Sequence, residues 1–490
     1  MKEQLSLLEP QEVWRNFKAL NAVPRPSKKE ERVIRFMLNF GKSLHLETFK
    51  DTVGNVIIRK PATPGMENRQ TVTLQSHLDM VHQKNAETEF DFDTEGIRMK
   101  VENDWVKAEG TTLGADNGLG VAAIMALLES TSLPHPELEA LFTIDEETGM
   151  TGAMGLEAGV LKGTILLNLD TEEDDEIDVG CAGGVDVTAS GSYGEENLPD
   201  GFIGYRIGVK GLQGGHSGMD IHKGLANANK LMNRVLFKSA ANHGLRIASL
   251  DGGGLRNAIP RESFAQVAVE EGTATDFEHN FRSWTTILKE EFFDKEPELN
   301  LFLEAMETPK KVMPWDVQEQ LLRAVHKAHN GVYAMSASMS DLVETSNNIA
   351  RVEVKEGRIK VGCLTRSSVD SAKMELANAL KDVFESAGFQ VSFGGNYPGW
   401  SPNPDSAILK VLEVQYEHLF QTSPKVVACH AGLECGILGR NYPQMDMISF
   451  GPTIKGAHSP DERASISSVV KFWKFLLNIL EHIPEKEKAV

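Results

Sequence analysis

Cysteine is scarce: the chain has four in 490 residues, at 181, 363, 429 and 435, with no CxxC pair among them. That excludes a dense disulfide framework and fits a reducing compartment, with the four thiols serving as small core residues. Positive charge is also short, 50 Lys and Arg against 70 Asp and Glu, for a net charge of -20. So acidic a chain repels phosphates, which excludes nucleic acid and anionic lipid as partners. No run of about 18 apolar residues occurs, and the opening "MKEQLSLLEPQEVW" places acids where a signal peptide needs an apolar core. The expectation is a cytoplasmic protein with no membrane partner. Low-complexity tracts are missing as well, and 41% hydrophobic residues over this length predict two or three globular domains.

What is present reads first as α/β. Helices are predicted over 10–20 and 28–41, separated by the breaker "VPRPS", with short strands at 46–50 and 55–59. Then come "TVTLQSH" (71–77), a hairpin near 97–107, a helix over 118–130, "LEALFTID" (138–145) and "GTILLNLD" (163–170). Apolar strands alternating with helices predict a mostly parallel sheet covered on both faces. The acidic run "TEEDDEID" (171–178) reads as a solvated loop.

After "GCAGG" (180–184) the strands lengthen and become more polar, in a β-α-β-β-α succession with helices over 222–238 and 275–292. A similar succession follows, with helices over 315–329 and 368–387 around a hairpin. From about residue 400 the α/β style returns, with helices over 404–420 and 465–482 and the strands "KVVAC" and "DMISF". The predicted fold class is α/β: a mostly parallel-stranded, helix-covered catalytic domain (1–184 and 400–490), interrupted by an α+β lid domain (185–399) of two similar β-α-β-β halves.

Ionisable residues stand at the ends of the α/β strands. His77 and Asp79 end "TVTLQSHLD", Asp116 lies in "GTTLGADNGLG", Glu146 and Glu147 end "LEALFTIDEE", Asp170 ends "GTILLNLD", and His458 follows "DMISF" in "GPTIKGAHSPDE". In an open parallel sheet ligands bind at the carboxyl ends of the strands. Two imidazoles and three carboxylates suit a pair of divalent ions such as Zn2+, two per chain, with Co2+ or Mn2+ as alternatives. His77, Asp116, Glu147, Asp170 and His458 are the expected ligands, and Asp116, in its Gly-flanked loop, is the expected bridge. Asp79 faces the same way as His77 and can orient its ring. Glu146 is then free to handle the proton of a water, which is hydrolase chemistry.

The motifs "HLDMV", "GTTLGADNG", "DEETGM", "LNLDTEE", "GGHSG" and "GAHSPDE" together resemble the metallopeptidase family of carboxypeptidases, dipeptidases and acylamino-acid deacylases. "RKPATPGMENR", "GCAGG", "VKGLQGGHSG", "LRNAIPRE" and "HAGLECG" resemble the branch that splits Xaa-His dipeptides such as carnosine. The resemblance implies the same five ligands, Asp79 as orienting residue and Glu146 as general base and acid. It also implies that His216 stabilises the tetrahedral oxyanion and that Asn257 and Arg366 bind the terminal carboxylate of a short peptide. An N-acyl amino acid deacylase on the same scaffold is the rival reading; a non-catalytic metal-binding protein is a more distant one. Two assemblies stay open: a single chain in which His216 serves its own site, and a homodimer in which it serves the neighbour's.

Overall fold

The computed structural model describes residues 5–486, which divide into two compact units. The first comprises the chain up to Gly180, Pro402–Ala428, and the chain from Leu433 onward; the second comprises Cys181–Ser401 and Cys429–Gly432.

The first unit is built on an eight-stranded sheet. Its centre is four strands in the spatial order β2, β1, β3, β4, where β1 is Val72–His77, β2 is Leu138–Thr143, β3 is Ile165–Asn168 and β4 is Asp446–Ser449. These four are mutually parallel. Antiparallel pairing appears outside them, where Val56–Lys60 joins β2, Glu47–Lys50 joins Val56–Lys60, and Glu176–Cys181 joins β4. All six residues of β1 and of β2 are buried, as expected of strands covered on both faces. Leu74, Leu141, Leu167 and Ile448 are wholly buried, each contributing about 1.5–3 kcal/mol of transfer free energy. Helix α1, Ala115–Glu129, packs on β1 and is itself packed by the helix Gln11–Asn21. The acidic run 171–178 is not all loop: Glu176–Cys181 is a strand, and Asp178 is 7% exposed with its carboxylate accepting from Thr171 Oγ1 at 2.8 Å. Burial pushes that carboxyl up to about 7.

The second unit carries a nine-stranded antiparallel sheet. Its strands run in the spatial order Asn300–Met306, Phe202–Lys210, Ser263–Glu270, Arg246–Gly253, Val343–Lys355, Arg358–Ser367, Gly183–Ser192, Gln390–Tyr397, and Gly331–Met335 also pairs with Val343–Lys355. The central pairing is that of Arg246–Gly253 with Val343–Lys355. Exposed and buried residues alternate at the start of Arg358–Ser367, the signature of a sheet with one covered face. Val209, Leu236, Phe277, Leu321 and Phe384 are among the core beneath it. The helix expected over 222–238 is displaced toward the C-terminus. Ile221–Lys223 is one turn of 3-10 helix, Gly224 is left-handed at φ 64°, and the α-helix Ala228–His243 starts only where Asn227 caps the amides of Asn229 and Lys230.

Candidate metal centre

The four parallel strands deliver their carboxyl ends to one place. His77 is the last residue of β1, Glu146 and Glu147 open the turn after β2, Asp170 follows β3, and His458 lies in the loop after β4. Asp116 comes from the start of α1, where its backbone is extended (φ -80°, ψ 112°) rather than helical. Two of these turns use left-handed backbone at non-glycine residues, Asp145 at φ 56° and His458 at φ 63°. Such conformations cost about 1–3 kcal/mol and concentrate at functional sites.

His77 Nε2 lies 3.1 Å from Asp116 Oδ1 and 3.5 Å from Asp170 Oδ1. His458 Nε2 lies 3.1 Å from Asp116 Oδ2 and 3.1 Å from Glu147 Oε2. One carboxylate therefore faces both imidazoles, one oxygen each. Three trios have ligand atoms within 4.8 Å of one another: His77, Asp116 and Asp170; Asp116, Glu147 and His458; and His77, Glu146 and Glu147.

Carboxylates carry no donor, so each nitrogen-to-oxygen approach needs either an N–H hydrogen or a cation between the two atoms. As proton sites, His458 is pushed up to about 11 by its hydrogen bonds to Asp116 and Glu147. His77 also rises well above an ordinary imidazole: burial would lower it, but Asp170, Asp116 and Asp79 outweigh that. Burial would raise Asp116, yet the two histidines hold it below the usual carboxylate range. Glu146 goes the other way, raised well above an ordinary carboxyl by burial and by Asp170, Glu147 and Glu434, against His77. The set also fits divalent cations: nitrogen and oxygen donors converge without sulfur, and Glu147 Oε1 is buried with no hydrogen-bond partner.

Asp79 does more than sequence reasoning assigned to it. His77 Nδ1 lies 3.2 Å from the Asp79 carbonyl and 3.5 Å from its carboxylate. The carboxylate itself accepts from the backbone N–H of Glu146 at 3.0 Å, from that of Glu147 at 3.3 Å, and from Ser27 Oγ at 2.8 Å. It thus fixes the turn that aims both glutamates. A further acid trio, Glu30, Asp79 and Asp145, lies alongside. The Asp79 oxygens are taken by those donors, the Asp145 oxygens by Lys28, Thr148 and Thr151, and Glu30 Oε1 accepts from the Lys28 backbone N–H at 2.9 Å.

Sequence reasoning also gave no role to Glu434, which is fully buried at the start of the helix Glu434–Asn441. Its Oε2 accepts from Gln75 Nε2 and Thr143 Oγ1, both at 2.6 Å, and burial pushes it up to about 8. No spacing rule singles it out, because its partners are polar residues inside otherwise apolar strands.

Of the residues expected to recognise substrate, all three lie in the second unit. His216 pairs with Ala258, next to Asn257, in a two-stranded ribbon. His216 Nδ1 accepts from the backbone N–H of Gly218 at 3.2 Å and of Met219 at 3.0 Å, so the neutral ring carries its proton on Nε2. Asn257 is exposed. Arg366 stands apart from that ribbon on the strand Arg358–Ser367, 4% exposed, donating from Nη1 to Tyr397 Oη at 2.9 Å. Its Nε is buried with no hydrogen-bond partner.

His430 Nε2 in the same unit lies 2.8 Å from Ser346 Oγ, in hydrogen-bond contact, and burial, reinforced by Arg366, pulls the ring down to about 3. An unfolded histidine titrates near 6.5, so below that pH the unfolded chain binds a proton that the folded chain refuses. Stability is therefore expected to fall as pH drops from about 6.5 toward 3, by about 2 kcal/mol at pH 5. Thermal melts at neutral and acid pH check this, since His430→Gln should show a smaller acid-side loss than the parent protein. Equal losses would mean that His430 does not set the slope.

Known proteins match the chain along most of its length. The model of "Peptidase family M20/M25/M40" matches residues 73–482. The chain is 42% identical over 483 residues to the cytosol non-specific dipeptidase of Escherichia coli (strain K12), covering 99% of this chain and 100% of that one. The crystal structure of aminoacylhistidine dipeptidase from Vibrio alginolyticus matches with a TM-score of 0.92 at 44% identity, over 99% of this chain and 100% of that one. Aminopeptidase PepT from Bacillus cereus shares the fold at a TM-score of 0.57 and 15% identity, over 97% of this chain and 99% of that one. Among the described residues no helix is long and apolar enough to cross a membrane. The family model spans most of the chain and the relatives are matched over their full length, so the chain belongs to peptidase family M20/M25/M40 and is a hydrolytic enzyme.

Proposed function

We propose that this chain is a two-metal dipeptidase, loaded with Zn2+, which cleaves short peptides and favours Xaa-His dipeptides such as carnosine. The observation that carries the reading is the Asp116 carboxylate, with one imidazole Nε2 at 3.1 Å from each of its oxygens. Support for the substrate comes from the names of the relatives, an aminoacylhistidine dipeptidase and a cytosol non-specific dipeptidase. His77, Asp116 and Asp170 would hold one ion, and Asp116, Glu147 and His458 the other. Bound there, such ions polarise a scissile carbonyl and acidify water.

The chain's own groups do the rest. Glu146 takes the proton of the attacking water and passes it to the leaving amine, a transfer suited to a carboxyl held above its ordinary range. Asp79 keeps that glutamate aimed through its backbone N–H. The Nε2 proton of His216 serves the developing oxyanion, and Asn257 and Arg366 serve the terminal carboxylate.

Hydrogen bonds to charged groups contribute about 1.5–3 kcal/mol, so Arg366→Gln should lower kcat/KM for a dipeptide about 10- to 100-fold, chiefly through KM. The C-terminal amide of the same dipeptide should be nearly unaffected. Equal losses on acid and amide would remove Arg366 from carboxylate binding. The reading as a whole is tested on the chelated, zinc-restored enzyme with β-Ala-His, other Xaa-His dipeptides, dipeptides lacking histidine, and N-acetyl amino acids. Preference for the last group would replace it with the deacylase reading.

A further inference from the structure

The loop that carries Asp116 lies between two buried charges of opposite sign. On its N–H side is Glu462, 2% exposed. Glu462 Oε2 accepts from the backbone N–H of Leu113 at 2.6 Å and Gly114 at 2.9 Å; its Oε1 accepts from Ala115 at 2.7 Å and Asp116 at 3.3 Å. Four consecutive amides of the loop thus converge on one carboxylate, a set of hydrogen bonds that favours an anion there.

On the carbonyl side is Arg25, 1% exposed. Its Nη2 donates to Gly114 O at 2.6 Å and Asn21 Oδ1 at 2.9 Å, and its Nη1 to Leu78 O at 3.0 Å and Asp79 O at 3.1 Å. Asn21 Nδ2 adds a hydrogen bond to Leu113 O at 2.9 Å. The fit leaves no slack. Gly114 is left-handed at φ 68°, and a Cβ there would lie 2.5 Å from Arg25 Nη2; a Cβ at Gly118 would lie 2.6 Å from the same atom.

These contacts join three ligand-bearing loops. Arg25 ties the segment after His77 to the segment before Asp116. Glu462 closes the compact turn that holds His458, with its own N–H donating to Ser459 O at 3.0 Å, and binds that turn to the Asp116 loop. A side chain that satisfies backbone groups on two loops ties their spacing to its own geometry, because separating them leaves buried polar groups unpaired.

We propose that Glu462 and Arg25 are positioning residues which set the cation affinity of the centre by holding the His77, Asp116 and His458 loops in ligating register before an ion arrives. The inference rests on reading those three residues as ligands. Groups that orient metal ligands typically govern affinity by about 10- to 100-fold. Glu462→Gln keeps the shape but turns an NH2 toward amides that need acceptors. Arg25→Lys keeps the charge but loses the planar fork that reaches both loops.

The test is Zn2+ titration of the chelator-treated full chain against a chromophoric competitor, at a temperature where circular dichroism shows each protein folded. Glu462→Gln is expected to weaken Zn2+ binding about 10- to 100-fold and Arg25→Lys about 10-fold, with the number of ions unchanged. A role confined to folding would lower the melting temperature of the metal-free variants and leave the dissociation constants of the folded ones alone; that result overturns the proposal. If Glu462→Gln does not fold, Arg25→Lys and Asn21→Ala decide the matter, and unchanged affinity in both would be equally fatal. Failure of the parent protein to take up Zn2+ would instead defeat the ligand assignment itself.

Discussion

Glu146→Gln is expected to abolish dipeptide turnover, by on the order of 10²–10⁴-fold in kcat, while the protein keeps its full complement of cations. The substitution is nearly isosteric, and the backbone N–H that Asp79 accepts at 3.0 Å is untouched, so the turn after β2 stays in place. What is lost is a group able to take a proton and return it. Glu147→Gln, one residue away, is the control. Its Oε2 faces His458 and its Oε1 is buried without a partner, so this change should cost a cation rather than spare it. Elemental analysis beside steady-state kinetics separates the two outcomes. Near-normal hydrolysis by folded, metal-replete Glu146→Gln would take Glu146 out of proton transfer.

Asp116→Asn should have the broadest effect on the centre. Both imidazoles lean on this one carboxylate, and an amide can offer an acceptor to only one of them while turning a donor toward the other. Cation content after dialysis should fall for both positions at once, and activity by at least about three orders of magnitude, because the loss removes several kcal/mol of charge stabilisation from each side. Asp170→Asn touches only the His77 side and should cost less. Two tightly held ions in folded Asp116→Asn would show that the carboxylate is not shared.

The residues that converge at the strand ends were legible in the sequence for a physical reason. The runs "TVTL", "LEALF", "TILL" and "DMISF" are short and β-branched or apolar-rich within an alternating α/β pattern, so each reads as a strand and an acid or imidazole just beyond it is conspicuous. The residues that hold those side chains in place were not legible. Arg25 and Glu462 work largely by hydrogen bonding to backbone, which every loop presents, so nothing in "VPRPS" or "SPDE" announces a partner dozens or hundreds of positions away. Glu434 was hidden likewise, since Gln75 and Thr143 look like lapses in apolar strands until the fold brings all three together. The displaced helix of the second unit shows local chemistry prevailing over pattern. Apolar periodicity extends back past residue 228, but Gly224 and the Asn227 cap set the true start. The strand at Glu176–Cys181 escaped notice because its acids dominate the composition, although Asp178 is buried.

The way the second unit departs from and rejoins the chain has a consequence for engineering. Cys181 and Trp400 exchange both backbone hydrogen bonds, at 2.8 and 2.9 Å, so a stretch of more than two hundred residues starts and finishes at one point. A graft made at that point inherits ready-made anchorage and little extra closure entropy, which makes 181–400 a natural cassette for exchange among related scaffolds. The cassette has one dependency: the tetrapeptide Cys429–Gly432 also belongs to the second unit, with His430 on Ser346 and two of its carbonyls on the Ala182 amide. A chimera that swaps the long segment must carry those four residues with it, or strand a buried serine and a buried amide in the new host.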